Sequence, residues 1–348
     1  MVKSYKMLQE ITEQPQRLKD TLSNQWERAK RIGDEIRRFA PECVIVAARG
    51  TSDNVATYAR YLLQFENHIP VASATPSLYT FYDAKMKLDK TLVIGISQSG
   101  QTPDIVYFLK KARDQGALTC AITNTENSPL ENEAHFSLIA CSGKEEAVAA
   151  TKTFTTCLLA TAMLSFHWAD DKEMLKKLET IPEQAEQMLT LSPLISEIVN
   201  RYTYVEAMAV LSRGFFYPIA LEVALKIRET AIVDADGFSS VDFMHGPIAV
   251  VKQGFPVLLI APIGKVYSNL LGIAKELRKR KAEIISLSQG KEVMKLSNTS
   301  IPIPFEGDEC IMPVPIVIAG QLFAFYLALS RNLNPDRPRG LAKVTRVW

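Results

Sequence analysis

Three clusters of residues in this chain of 348 could do chemistry. Two are hydroxyl-rich loops, Arg49-Gly50-Thr51-Ser52-Asp53-Asn54 and Ser97-Gln98-Ser99-Gly100-Gln101-Thr102-Pro103-Asp104. Each follows a β-branched apolar run, VIVAA or LVIGIS, and opens a helix-like stretch. That places both at the carboxyl ends of strands, where open α/β sheets bind ligands. Free N–H groups at a helix start favour an anion, and short hydroxyls add donors without blocking its approach. One such loop alone reads more simply as a helix cap and tight turn. Two at equivalent strand ends favour a small phosphorylated ligand. SQSGQTPD contains no Lys or Arg and the chain has no G-x-x-x-x-G-K-[ST], so a nucleoside triphosphate site is not indicated.

The third cluster lies in LEVALKIRETA, where Glu222, Lys226 and Glu229 fall at i, i+4 and i+7 and share one helix face. Spacing alone leaves two readings open. The three can form a solvated ion-pair stripe. Alternatively, the apolar neighbours Leu221, Ala224, Leu225, Ile227 and Ala231 can hold a carboxylate in a setting suited to a general base. His245 in DFMHGPIAV and Lys343 in RGLAKVT are not selected by periodicity. A lone His is more often structural, and a tail Lys usually faces solvent.

The elements that must position these clusters occur twice. VIVAARG ends at Gly50 and AVLSRG at Gly214, 164 residues on; LVIGIS and VLLIAP start at Leu92 and Val257, 165 apart. ALTCAI and AEIISL start at Ala117 and Ala282, again 165 apart, and CLLATAML and QLFAFYLAL start at Cys157 and Gln321, 164 apart. In each copy, short apolar runs alternate with helical stretches, the pattern of parallel strands buried between helix layers. The expected fold is α/β: two tandem doubly wound parallel-sheet domains related by internal duplication. The expected organisation is an N-terminal helical segment 1–33, a first domain 34–170, a connecting helix 171–195, a second domain 196–330 and an irregular tail 331–348. Leu175, Leu178, Ile181, Ala185 and Met188 mark the connecting helix as amphipathic, with a break near Pro182. The second copy has Phe215-Phe216 and Pro262-Ile263-Gly264 where the first has hydroxyls, so phosphate is expected in the first half only.

Composition removes several classes of function. Hydrophobic residues at 47% and charged residues at 22% suit a soluble globular enzyme and not a disordered chain. Forty basic and 38 acidic residues leave a net charge of +2, which gives no reason to expect a nucleic-acid or membrane partner. Five cysteines without a C-x-x-C pair read as buried thiols in a reducing compartment. Four separated histidines make a zinc site unexpected. The polar N-terminus has no apolar h-region, and the expected location is the cytoplasm. Ile311–Ser330 carries no charge and has the length of a membrane span. A short strand followed by a buried helix is the better reading, since Pro313 and Pro315 interrupt its start and Lys152 stands in the matching region of the repeat.

RGTSDN, SQSGQT, AVAATKTFTT, YPIALEVALKIRE, FMHGP and RGLAKVT occur in this order in the sugar isomerase (SIS) domain family. The chain resembles that family over essentially its whole length. The resemblance is closest to the isomerase half of glutamine–fructose-6-phosphate aminotransferases. It implies flavodoxin-like domains and a sugar-phosphate substrate, with no metal and no organic cofactor. It implies that Ser52, Ser97, Gln98, Ser99 and Thr102 hold the phosphate, with Gly50, Thr51 and Ala149 among the substrate contacts. Glu229 would move a proton between C1 and C2, accompanied by Lys226. His245, supplied by a neighbouring subunit of a homodimer or larger homo-oligomer, would assist ring opening. Lys343 would reach the open-chain carbonyl and could form a Schiff base.

The chain departs from the family pattern at four places: Val2 follows Met1 where a glutaminase would have its cysteine nucleophile, Arg49 replaces a Cys, Ala150 replaces a Ser, and Arg228 stands where Lys is common. The resemblance therefore implies a glutaminase-free amino-sugar-phosphate enzyme, converting glucosamine 6-phosphate and water to fructose 6-phosphate and ammonia. The alternatives are a deglycase of an amine-linked sugar phosphate, an ammonia-dependent fructose-6-phosphate aminotransferase, and a non-catalytic sugar-phosphate sensor. Relatives of the deglycase kind tend to lack the tail Lys, and a sensor needs the phosphate loops but not Glu229, His245 and Lys343 together.

Overall fold

The computed structural model describes residues 5–343. They form two compact units, and the chain passes between them more than once. One unit gathers Gln14–Glu145, Lys152–Pro182 and the tail from Ala342; the other gathers the chain up to Glu13, Glu146–Thr151 and Glu183–Leu341.

The first unit is built on five parallel strands: β1 (Cys43–Ala47), β2 (Val71–Ser73), β3 (Thr91–Ile96), β4 (Leu118–Thr123) and β5 (Phe136–Ile139). Their order is β2-β1-β3-β4-β5. From β1 the chain moves to one side and from β3 to the other, so the carboxyl ends of these two neighbours form the switch point of a flavodoxin-like sheet. All six residues of β3 are buried, as its unbroken apolar run requires of a central parallel strand. The helices Gln14–Phe39 and Lys152–Ala169 pack closely in this unit, because a side chain at Gly33 would collide with the backbone of His167 and Trp168.

The second unit repeats the plan with β6 (Ala207–Ser212), β7 (Asp234–Ser239), β8 (Pro256–Ile260), β9 (Glu283–Ser288) and β10 (Thr299–Pro302). Its order, β10-β9-β8-β6-β7, is the same topology read from the other edge. β1 and β6 begin at residues 43 and 207, and β3 and β8 at 91 and 256, which reproduces the spacing of the sequence repeat. The fold is therefore the expected pair of doubly wound α/β sheets.

Several expectations are corrected. The linking region is three helices, Lys172–Leu178, Ile181–Leu189 and Ser192–Ile198, and Pro182 lies in the first turn of the second, where a missing N–H costs nothing. Ile311 and Met312 form a turn and not a short strand, and the apolar helix Pro313–Ser330 starts on Pro313 itself, again at a first-turn position. This helix is long and apolar enough to cross a membrane, but 83% of it is buried inside the structure. Gly320 lies against Val223 of the helix Tyr217–Ala231, and Tyr326 shares a 2.6 Å hydrogen bond with Ser192. Cys43 and Cys141 are only partly buried, unlike Cys120, Cys157 and Cys310. Cys43 opens β1, before that strand's buried residues begin. The tail is irregular as far as it is described, and its last five residues lie outside the described range.

Candidate active site

At the switch point of the first sheet, the two hydroxyl loops lie side by side. β1 and β3 pair in parallel from Cys43↔Thr91 to Ala47↔Gly95, so Gly50 to Ser52 and Ser97 to Thr102 leave the same edge. The helices that follow are Thr51–Glu66 and Pro103–Asp114, and no side chain caps either one. The reading of these loops as ordinary side-chain caps therefore does not hold. Gly50, at the first helix start, has φ +56°, a conformation that glycine adopts freely. The Ser97 and Thr102 hydroxyls are 3.0 Å apart, the Gly100 N–H donates to the Ser97 carbonyl at 3.1 Å, and the Ser99 hydroxyl accepts from the Gln101 N–H at 3.2 Å. Gly100 has φ +62°, and a Cβ there would meet the Ser128 hydroxyl at 2.2 Å. The turn is thus closed around a position that only glycine fits. Arg49 and Asp104 tie the loops together at 2.6 Å.

The same unit brings the tail to this edge. The Glu145 side chain is wholly buried, and its Oε2 accepts from Lys343 Nζ at 3.1 Å, Gln98 Nε2 at 3.3 Å and the Thr153 hydroxyl at 3.0 Å. Its Oε1 accepts from the Thr153 N–H at 3.2 Å. Lys343, whose ordinary place would be in solvent, is held against a buried carboxylate with its side chain 25% exposed. Glu145 was not singled out by sequence; it lies 198 residues from Lys343 and no spacing joins them.

In the second unit the acid–base cluster sits on the helix Tyr217–Ala231. Glu222 and Lys226 are buried, Lys226 Nζ is 3.4 Å from Glu222, and it also bonds to Glu229. The solvated-stripe reading fails, because two of the three side chains are sealed from water. A buried ammonium persists only with such partners. Glu229 alone reaches the surface, with its side chain 23% exposed. His245 is in the same unit, exposed just after the helix Ser240–Met244, and Ala149 is buried in the segment 146–151. Arg228 turns outward to Asp234 and Asp236 of β7. The loop after β8, equivalent to SQSG, already has the Glu309 carboxylate against Gly264, which disfavours an anion there.

Duplicated flavodoxin-type sheets, with hydroxyl-rich loops at one switch point and a buried Lys–carboxylate cluster, define a chain of two tandem α/β domains. The SIS domain family profile matches residues 41–166 and 204–330, and the chain belongs to that family. It is 35% identical to a glutamine–fructose-6-phosphate aminotransferase [isomerizing] of Aquifex aeolicus, over 98% of this chain and 57% of that protein. The chain thus spans a little over half the length of the curated relatives it matches. Among solved structures, a Silicibacter pomeroyi DSS-3 protein provisionally called a phosphosugar isomerase is 30% identical, covering 95% of this chain and all of that one, with a TM-score of 0.83. The C-terminal domain of glucosamine-fructose-6-phosphate aminotransferase from Francisella tularensis is 27% identical, covering 97% and 99%, with a TM-score of 0.87.

Proposed function

We propose that the chain is an amino-sugar-phosphate deaminase and isomerase, acting on glucosamine 6-phosphate and water to give fructose 6-phosphate and ammonia. The observation that carries this reading is the exposure of Glu229 beside the sealed Lys226–Glu222 pair. A carboxylate that bonds a fixed ammonium and still reaches the surface is equipped to take and return a proton; a sensor has no use for it.

The roles follow from chemistry. The SQSGQT loop and the uncapped helix start bind the phosphate dianion, and this remote binding energy positions the reacting carbons. Lys343 engages the carbonyl of the open-chain sugar, and His245 assists ring opening. Glu229 removes the proton from C2 of the amino aldose and delivers one to C1, passing through an enediol-type intermediate. Hydrolysis of the resulting C2 imine by water releases ammonia and leaves the ketose. Lys226 holds Glu229 in place for this transfer. The working protein is a homodimer or larger homo-oligomer in the cytoplasm, with His245 contributed by a neighbouring subunit.

The test is a panel of amino-sugar phosphates and amine-linked sugar phosphates given to the purified chain, with ammonia and ketose phosphate measured. Turnover of glucosamine 6-phosphate supports the reading. Turnover confined to amine-linked sugar phosphates would replace it with a deglycase, and binding without turnover would replace it with a sensor.

A further inference from the structure

We infer that Glu145 is a positioning residue that fixes the Lys343 amine and the Gln98 amide in one geometry. The inference rests on the reading of Lys343 as the carbonyl-directed amine. A buried carboxylate is costly unless its oxygens are satisfied. Four of the donors that Glu145 meets divide into two kinds. The Thr153 N–H and hydroxyl belong to the start of the helix Lys152–Ala169, an element whose residues are almost all buried. They fix where the carboxylate points. Gln98 and Lys343 are long side chains with many rotamers, and both donate to the same oxygen, Oε2. A lysine gives up rotamer freedom when it is held. A charge-assisted bond to a buried, pre-oriented carboxylate is strong enough to hold it. The consequence is that the phosphate loop and the tail amine share one anchor. A shift of Glu145 moves both together, so the distance between the bound phosphate and the amine that meets the carbonyl is set by this carboxylate.

Thr153 offers nothing of the kind to a substrate, and Glu145 itself, with no exposed side-chain surface, cannot touch one in this arrangement. Its contribution must pass through Lys343 and Gln98. That predicts a distinctive pattern of coupling.

The test is a double-mutant cycle on glucosamine 6-phosphate deamination with wild type, E145Q, K343A and E145Q/K343A, accompanied by inorganic phosphate affinity and thermal melts. E145Q is expected to lower kcat by about 10²-fold, the usual effect of a misplacement near 1 Å. In the K343A background it is expected to change kcat by less than about threefold, because the amine it positions is gone and the remaining Gln98 contact acts on phosphate affinity. Effects that multiply would overturn the inference, as would a kcat for E145Q within about threefold of wild type. E145D keeps the charge but draws it back by one methylene; it is carried alongside and is expected to show the same coupling should E145Q not fold. If K343A is as active as wild type, the assignment of Lys343 fails by itself. The role of Glu145 is then decided by phosphate affinity: a loss of about three- to tenfold in E145Q, the worth of the Gln98 bond, supports it, and unchanged affinity overturns it.

Discussion

Lys226 lies sealed inside its unit, bonded to Glu229, which is the one member of the cluster with a side chain open to the surface. Fixing a carboxylate with a buried cation orients it without blocking its outer lone pairs. Glu229→Gln keeps the shape but cannot accept the proton. The expected loss in kcat is about 10²–10⁴-fold with substrate affinity nearly unchanged. Steady-state kinetics with a separate substrate titration checks this, and a loss below about tenfold would remove Glu229 from the role of base.

Phosphate is expected at Ser97 to Thr102 and not at the loop after β8, where Glu309 lies against Gly264. Ser99→Ala should weaken inorganic phosphate and substrate binding by several-fold, about 1 kcal/mol for one hydrogen bond. Lys265→Ala should leave both unchanged. Gly100→Ala should do more damage than either, because the new Cβ meets Ser128 and the φ of +62° strains any other residue. Equilibrium binding of phosphate to the three variants, with thermal midpoints, checks the order.

Burial lowers the pKa of His167 to about 4 from its ordinary 6.5. The folded state therefore resists protonation that the unfolded chain accepts. Its contribution is fully present above pH 6.5 and is lost as pH falls from 6.5 to 4. The ring packs edge-on to Trp26 with centroids 4.8 Å apart. His167→Phe keeps an aromatic ring there and removes the titration. Denaturant melts between pH 7 and 4 should show a shallower decline in the variant than in wild type; identical slopes would refute this assignment.

The chain of 348 residues is expected to use free ammonium and not glutamine in the reverse direction. Glutamine hydrolysis needs an activated thiolate or comparable nucleophile. Burial pushes the Cys120 and Cys157 thiols up to about 12 and raises Cys141, and Cys310 is buried. Cys43, more open than its apolar run suggested, shares a hydrogen bond with Thr91 at 3.3 Å. Fructose 6-phosphate with ammonium chloride in excess should yield glucosamine 6-phosphate, and glutamine in its place should not. Lys343→Ala should depress both directions, since both pass through the open-chain carbonyl.

The parts of the site legible in the sequence are those built from neighbours in the chain. Loops such as SQSGQT follow an apolar run and precede a helix, so their place at a strand end can be read locally. The 164–165-residue repeat became two sheets of one topology, because long apolar strands such as β3 have only one environment that suits them. Edge elements were not legible: β7 reads DADGFS, a polar run that is a strand only because β6 pairs with it. The spacing of Glu222, Lys226 and Glu229 defined a face but not its burial, which depends on the packing of Gly320 and its helix nearly a hundred residues on. Glu145 carried no signal at all. A buried carboxylate in a loop has no periodicity, and its partners Gln98 and Lys343 lie 47 and 198 residues away.

Deamination is tested by giving glucosamine 6-phosphate alone to the purified chain and measuring ammonium and fructose 6-phosphate in the same samples. Both products are expected in equal amounts, and Glu229→Gln should slow both by about 10²–10⁴-fold. Substrate that binds the wild-type chain but yields neither product would contradict this assignment.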